Sequence, residues 1–336
     1  MARLTDKPKG LFVLPQDNCE LLYGLGAAEA IGELVDLVAE RQDRETVIAG
    51  CPALADAELL FTGWGAPTLD ADFLAAAPKL RVVFYGAGSV RSVATNAMWD
   101  RGVRVVSARA ANAVPVAEFT LGHILLALKL TWHYARAVRR QRQWAHSLPV
   151  FGAYGSTVGV ISLGRIGRRV CELLKPFDVN VIAYDPLATA EAAESLSVEL
   201  VSLAELFARA DVVSLHAPNL PETKGMITGE LLAAMKHYAT FINTARVAIV
   251  REGEMLDVLR SRPDLMAVLD VTDPEPPAPD SPLWTTDNVV LTPHIAGSLG
   301  PECARMGWMM VGELKHYLAG EPLAHEITRR QAEKLA

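Results

Sequence analysis

Three polar segments punctuate the stretch from Asn243 to Ser298, and each directly follows a short apolar run. The segments read NTAR at residues 243–246, DVTDPEP at 270–276 and LTPHIAGS at 291–298. Short runs rich in Val, Ile and Leu are typical of strands buried in a parallel sheet. The runs cover residues 240–242, 265–269 and 288–291. Ligands of an open α/β sheet bind beyond the carboxyl ends of its strands, so the three segments are predicted to share one edge.

Each segment carries one side chain suited to acid–base or anion chemistry, namely Arg246, Glu275 and His294. An arginine can bind a carboxylate through two parallel hydrogen bonds. A histidine with a carboxylate partner is a tunable proton donor or acceptor. The set therefore predicts hydride transfer involving a 2-oxo acid. Taken singly, the three could be a surface arginine, a solvated loop acid and a structural histidine, but their shared position at strand ends favours catalysis.

Composition limits the class of protein. The length of 336 residues favours two domains over one, and a hydrophobic content of 51% with 21% charged residues indicates a globular chain. The net charge of −7 argues against nucleic acid or an anionic membrane as the main partner. The four cysteines are far apart and lack metal-binding spacing, so we expect reduced thiols and no metal.

The sequence also predicts a cytoplasmic location. The first ten residues are polar and do not form a secretion signal. The most apolar long run, residues 111–130, is interrupted by Glu118 and His123, so we expect it not to span a membrane.

The first 110 residues alternate apolar runs with helical patterns, which predicts a parallel sheet. Helices are expected at residues 20–32, 70–77 and 89–100, and again from residue 113, opened by Pro115. Glycine-bearing loops follow strands at residues 62–67 and 86–89. Their backbone N–H groups could bind an anion, or the glycines could simply form turns. The sequence alone favours turns. The basic, tryptophan-bearing segment 132–144 resembles a nucleic-acid pattern in outline, but a subunit interface is favoured.

A dinucleotide-binding motif is centred on residues 157–170, TVGVISLGRIGRRV. Gly164 and Gly167 occupy the second and third glycine positions of GxGxxG, while Ser162 replaces the first. A serine can form this turn if its φ is negative, so we expect retained binding with slightly altered geometry. Asp185 ends the next strand at close to the ~20-residue spacing of an acid that binds ribose hydroxyls. With no basic residue directly after it, Asp185 favours NAD over NADP.

The chain resembles the D-isomer-specific 2-hydroxyacid dehydrogenases, a family that includes phosphoglycerate, D-lactate and glyoxylate/hydroxypyruvate dehydrogenases. The matching residues are 158–167 with Asp185, 216–218 through Thr223, 243–246, 270–276 and 292–298. The resemblance implies an α/β fold with two domains: a Rossmann doubly wound parallel sheet at 112–296, and a flavodoxin-like parallel α/β substrate domain at 1–111 and 297–336. It also implies a homodimer with its site in the cleft between domains.

The resemblance further implies a role for each matching residue. Arg246 would bind the substrate carboxylate, Glu275 would orient His294, and His294 would exchange the proton. The implied cofactor-binding positions are Gly164, Arg165, Ile166, Gly167, Asp185, His216, Ala217, Pro218, Thr223, Thr244, Ala245, Asp270 and Gly297. The predicted substrate-binding positions are Trp64, Gly86, Ala87 and Gly88.

The substrate is predicted to be a small 2-oxo acid without a phosphate group. Relatives that act on phosphoglycerate place an arginine in the first substrate loop, whereas residues 63–67 read GWGAP. Arg91 could attract a second acid group, although we expect it to face water. An alternative function is an NAD(H)-binding dimeric scaffold, as in the family's corepressors, but the chain lacks their long disordered tails.

Overall fold

The computed structural model describes residues 7–144 and 149–333. Contacts between Cα atoms divide the chain into two compact units. Unit 1 comprises residues 1–112 and 298–336, and unit 2 comprises residues 113–297. The predicted domain boundaries lie one residue from these limits, while the first six and last three residues of the predicted substrate domain lie outside the described residues. The substrate-binding role of unit 1 stays a prediction.

Thirteen strands are formed by the described residues. They are β1 Lys9–Phe12, β2 Asp36–Leu37, β3 Leu59–Thr62, β4 Val82–Tyr85, β5 Arg104–Ser107, β6 Thr157–Ile161, β7 Asn180–Tyr184, β8 Glu199–Leu200, β9 Val212–Leu215, β10 Thr240–Asn243, β11 Met266–Leu269, β12 Val289–Leu291 and β13 Glu326–Ile327.

Fourteen α-helices lie in the same described ranges. They are α1 Gln16–Tyr23, α2 Ala27–Leu34, α3 Arg44–Gly50, α4 Ala71–Ala76, α5 Asn96–Asp100, α6 Arg109–Leu128, α7 Thr131–Gln141, α8 Arg165–Leu174, α9 Ala190–Leu196, α10 Leu203–Arg209, α11 Gly229–Ala233, α12 Glu252–Ser261, α13 Ala304–Ala319 and α14 Arg329–Glu333. Short 3₁₀ helices form at Pro52–Ala55, Val247–Ile249, Pro282–Trp284 and Gly300–Cys303.

The sheet of unit 1 has the strand order β2-β1-β3-β4-β5-β13. The first five strands are parallel and follow the flavodoxin-like order, whereas β13 joins β5 in the antiparallel direction. Successive side chains alternate between two buried faces: Leu60 and Val83 enter one apolar core, and Phe61 and Phe84 enter the other. Burial on both faces explains why these strands are continuous apolar runs.

The sheet of unit 2 is entirely parallel, in the order β8-β7-β6-β9-β10-β11-β12. This is the Rossmann order with one further strand at the β12 edge. The strand order reverses between β6 and β9, which is the switch point where such sheets bind ligands. The predicted fold class is therefore confirmed for both units.

Several helix predictions were wrong in extent. The single helix expected at residues 20–32 is two helices, because Leu25 and Gly26 adopt φ of +49° and +87° and interrupt it. The helix expected at 89–100 is reduced to α5. Helix α6 begins at Arg109, before the predicted start, and contains Pro115 within its length.

By length and composition, α6 could cross a membrane. Half of its most apolar window is buried inside the protein, however, and core helices pass the same test. The observation is therefore weak evidence for a membrane span.

Candidate active site

Unit 2 brings the predicted trio to one edge of its sheet. Arg246, Glu275 and His294 lie in the loops that follow β10, β11 and β12, which are neighbours in the sheet. Arg246 precedes a 3₁₀ helix in an extended conformation, and its Nη1 donates to the carbonyl oxygen of Ala245 at 2.6 Å. The parallel strands therefore deliver the three side chains to the same rim, as the sequence predicted.

Glu275 and His294 form a direct pair. His294 Nδ1 lies 2.9 Å from Oε2 and 3.1 Å from Oε1 of Glu275. Both side chains are nearly half exposed, so solvent and a ligand can reach them. A hydrogen bond at Nδ1 fixes the ring orientation and leaves Nε2 for proton exchange.

The charge on Glu275 is favoured by its neighbours. Partial burial alone would raise the pKa of its carboxyl group. Hydrogen bonds from His294 and from the Thr272 amide, together with the positive charge of Arg246, outweigh burial and hold the pKa below its usual value. Glu275 is therefore a carboxylate at neutral pH and can accept a hydrogen bond from Nδ1–H of His294.

Asp270 anchors the loop that carries His294. Its side chain is 1% exposed. One carboxylate oxygen accepts from the Thr292 hydroxyl at 2.6 Å and the Ile295 amide at 2.9 Å, and the other accepts from the Ala296 amide at 2.9 Å. Sequence reasoning assigned Asp270 only to the cofactor and did not identify Thr292. The available signal was a buried acid at a strand end, which must find hydrogen-bond donors.

This anchoring supports an unusual backbone conformation. His294 has φ of +54°, in the left-handed region that non-glycine residues enter at a cost of roughly 1–2 kcal/mol. Such strain persists only where surrounding contacts impose it, and it clusters at active sites. The three hydrogen bonds to Asp270 supply those contacts.

The turn between β6 and α8 fits a dinucleotide. A Cβ at Gly167 would lie 2.0 Å from the Ser162 carbonyl oxygen, so only glycine allows this close packing. A Cβ at Gly164 would lie 3.9 Å from its nearest neighbour, Ser162 Oγ, so the space beside Gly164 is open. Gly164 provides no side-chain cap for α8. Open space at an uncapped helix N-terminus is what pyrophosphate binding requires.

Ser162 does not have the negative φ with which a serine was expected to form this turn. Its φ is +76°, not negative, so the serine adopts the left-handed conformation that the missing glycine would take. The turn keeps its shape because β6 and α8 fix both of its ends, and the strain is carried by the backbone of Ser162.

Asp185 lies beside this turn at the end of β7. One of its oxygens accepts from the Leu163 amide at 2.7 Å and the other from the Leu187 amide at 2.8 Å. Asp185 forms no salt bridge within residues 7–144 and 149–333. Because no cation neutralises it, this carboxylate would repel a ribose phosphate and could accept hydrogen bonds from ribose hydroxyls.

The other predicted cofactor-binding residues also lie in unit 2. The ring of His216 is buried, with Nε2 2.9 Å from the Ser214 hydroxyl, and burial lowers its pKa to about 3. A cofactor contact at position 216 would therefore come from the backbone.

Thr223 closes the following loop by donating to the Pro218 carbonyl at 2.5 Å, and the Thr244 hydroxyl lies 3.5 Å from that of Thr120 on α6. Ala217 and Ala245 are buried beside them.

The predicted substrate positions lie in unit 1, at the ends of β3 and β4. Trp64 is partly buried and packs against both apolar cores of that unit, and its contact with the substrate stays a prediction. Gly86, Ala87 and Gly88 form the turn after β4, where the Ser107 hydroxyl contacts the carbonyls of Ala87 and Gly88. The side chain of Arg91 is exposed, as expected.

Sequence comparison identifies the family. The profile described as "D-isomer specific 2-hydroxyacid dehydrogenase, NAD binding domain" matches residues 121–296. The D-3-phosphoglycerate dehydrogenase of Mycobacterium bovis is 38% identical over 294 residues, covering 87% of this chain and 54% of the relative. The glyoxylate reductase of Korarchaeum cryptofilum is 33% identical over 258 residues, covering 75% of this chain and 77% of the relative. The chain thus spans about half the length of the first of these relatives.

Solved structures agree on the fold. The TT0316 protein from Thermus thermophilus is 28% identical, has a TM-score of 0.72, and is matched over 95% of this chain and 100% of its own. A phosphoglycerate oxidoreductase from Rhizobium etli has a TM-score of 0.81 at 21% identity, over 96% and 99% of the two chains. The chain belongs to the D-isomer specific 2-hydroxyacid dehydrogenase family, and unit 2 contains that family's NAD-binding domain.

Proposed function

We propose that this protein is an NAD-dependent D-2-hydroxyacid dehydrogenase that interconverts a small, non-phosphorylated 2-oxo acid and the corresponding 2-hydroxy acid. The observation that carries the proposal is the Glu275–His294 pair, 2.9 Å apart, on the sheet edge that also holds Arg246. A carboxylate-binding cation and an oriented imidazole are what reduction of a 2-oxo acid requires.

The residues would divide the chemistry as follows. Arg246 binds the substrate carboxylate and polarises the 2-oxo group. His294 donates a proton from Nε2 to the substrate oxygen as negative charge develops there, and removes it in the oxidative direction. Glu275 accepts a hydrogen bond from Nδ1–H throughout, stays ionised and stabilises the imidazolium form of His294. The Gly164–Gly167 turn and Asp185 would hold NADH, which would supply the hydride for the 2-oxo carbon.

The cofactor preference is proposed to be NAD because of the unpaired Asp185 carboxylate. Replacement of Asp185 with Ser should lower the ratio of kcat/KM with NADH to that with NADPH by roughly tenfold, which corresponds to about 1.4 kcal/mol, because the repulsion of the ribose phosphate is lost. An unchanged ratio would mean that another group reads the ribose.

The absence of phosphate on the substrate is proposed from the first substrate loop. Residues 63–67 contain no lysine or arginine to bind a phosphate. The relatives named D-3-phosphoglycerate dehydrogenase make the phosphorylated substrate the main competitor. A cytoplasmic homodimer is proposed from family membership.

NADH oxidation with a panel of 2-oxo acids tests the function. The panel comprises glyoxylate, hydroxypyruvate, pyruvate, phenylpyruvate, 2-oxoisocaproate, 2-oxoglutarate and 3-phosphohydroxypyruvate. We expect turnover with a non-phosphorylated member at a kcat/KM at least tenfold above that for 3-phosphohydroxypyruvate. The reverse order would overturn the substrate proposal, and no turnover despite NADH binding would overturn the activity.

A further inference from the structure

Helix α1 lies directly behind both loops that carry the predicted substrate-binding residues of unit 1. Tyr23, its last residue, is fully buried. Its hydroxyl donates to the Thr62 carbonyl at 2.8 Å and approaches the Phe84 carbonyl at 3.2 Å. One hydroxyl therefore connects the carboxyl end of β3 to that of β4.

The Thr62 carbonyl oxygen also accepts a second hydrogen bond. The Gly86 amide donates to the Thr62 oxygen at 2.8 Å. A Cβ at Gly86 would lie 2.8 Å from the Tyr23 hydroxyl oxygen, so the turn is packed tightly against the phenol. Burial raises the pKa of Tyr23, which keeps the hydroxyl protonated and therefore a donor.

Helix α1 also holds the other loop. Asn18 Nδ2 donates to the Trp64 carbonyl at 2.9 Å. A Cβ at Gly63 would lie 2.3 Å from a methyl group of Leu22. On the opposite side, a Cβ at Gly307 of α13 would lie 1.9 Å from the Leu22 carbonyl oxygen. The helix is thus closely packed between α13 and the loops.

The turn beyond Gly86 presents backbone donors. Among the residues that the structure describes, the backbone amides of Ala87, Gly88 and Ser89 donate no hydrogen bond. The carbonyls of Ala87 and Gly88 are 3.0 and 2.5 Å from the Ser107 hydroxyl. Because C=O and N–H point in opposite directions across a trans peptide, the Gly88 and Ser89 amides point away from Ser107. Consecutive unsatisfied amides form an anion-binding concavity.

We infer that Tyr23 is a positioning residue for substrate binding: its hydroxyl fixes the turn 86–89 against the loop 62–66 and so sets the geometry of the Gly88 and Ser89 amides, which are oriented to bind an anionic group of the substrate. This inference rests on the proposed function. It assigns no contact between Tyr23 and the substrate.

The test compares Tyr23→Phe with Tyr317→Phe, which removes a hydroxyl from a partly buried position on α13 of the same unit. For Tyr23→Phe we expect KM for the preferred 2-oxo acid to rise roughly tenfold, because small displacements of binding groups are costly. Both kcat and the Kd for NADH should stay within about twofold of wild type, since His294 and the NAD-binding turn lie in unit 2. Tyr317→Phe should leave all three values unchanged.

Amide hydrogen exchange of the ligand-free protein provides a readout independent of turnover. In Tyr23→Phe, peptides covering residues 62–66 and 84–90 should exchange faster than in wild type, whereas Asn18→Ala should affect only the first. Unchanged exchange in both peptides would overturn the inference. Reduced stability with an unchanged KM would show a purely structural role and would also overturn it. If wild type turns over no member of the panel, the proposed function fails, while the exchange data still decide whether Tyr23 positions the turn.

Discussion

The imidazole of His294 is the residue on which the proposed chemistry depends most. Replacement with Ala should lower kcat by roughly 10²–10⁴-fold, the usual contribution of a positioned acid–base group. NADH affinity should be unchanged, because the cofactor-binding turn lies at β6. Stopped-flow rates and NADH fluorescence titration measure the two quantities.

Glu275→Gln is the matched variant for the pair. It keeps the shape of the side chain and a hydrogen-bond acceptor for Nδ1–H but removes the charge that stabilises the imidazolium, so we expect a smaller loss of kcat than for His294→Ala. Equal turnover in wild type and His294→Ala would remove His294 from the acid–base role.

Buried His216 predicts a pH dependence of stability. Its pKa is about 3 in the folded protein against an ordinary 6.5. Between pH 6.5 and pH 3 this histidine is protonated in the unfolded chain but neutral in the folded protein. The stability present above pH 6.5 is therefore lost as the pH falls toward 3, by about 1.4 kcal/mol per pH unit. His133, whose pKa is lowered to about 4 mainly by burial, adds a loss in the same direction.

Urea unfolding of wild type and His216→Asn at pH 7, 6 and 5 measures this contribution. The variant should lose less stability per pH unit than wild type. A slope identical to that of wild type would show that His216 does not carry it.

At the scale of elements, the turn from β6 to α8 combines strain with function. Ser162→Gly should stabilise the protein by about 1 kcal/mol, because glycine reaches the left-handed region without steric cost. NADH affinity should be equal or higher.

Ser197 provides a control for this change. It has φ of +58° at the end of α9, outside the cofactor turn. Ser197→Gly should give a similar stability gain with no change in NADH affinity. Weaker NADH binding in Ser162→Gly alone would indicate that the serine hydroxyl contributes to the site.

The elements also show what sequence can predict. Strands were predictable because burial on both faces makes them continuous apolar runs, and the three strand ends carrying Arg246, Glu275 and His294 followed from that. The break between α1 and α2 was missed, since helical periodicity continues through Leu25 although its backbone does not. Two-residue β13 was missed because only its pairing with β5 defines it. The roles of Tyr23 and Asp270 as anchors rest on long-range contacts that a sequence pattern does not contain.

At the scale of the whole molecule, the two units differ in how the chain builds them. Unit 2 is one continuous segment, so a fragment of residues 113–297 should unfold cooperatively and bind NADH. Residues 1–112 alone should not fold, because Met306 and Met310 of α13 belong to the core of unit 1. Circular dichroism during thermal unfolding and NADH fluorescence test both fragments.

A joined fragment provides the control. The Ser298 amide donates to Asn112 Oδ1 at 2.9 Å, so a short linker can connect residue 112 to residue 298. Residues 1–112 linked to 298–336 should recover cooperative unfolding. Failure of the joined fragment to fold would show that unit 1 requires unit 2.

The order in which the ribosome makes these segments has a consequence for folding. On one face of the unit 1 sheet, α1 and α2 pack into the same core as Phe61 and Phe84, but the part at β4 and β5 is covered by α13, which is synthesised only after all of unit 2. At roughly 5–20 residues per second, that part waits on the order of ten seconds or more for its cover. The nascent chain therefore carries a partly uncovered apolar sheet while unit 2 is already folding, and we expect chaperones that bind chains on the ribosome to engage β4 and β5 during this interval.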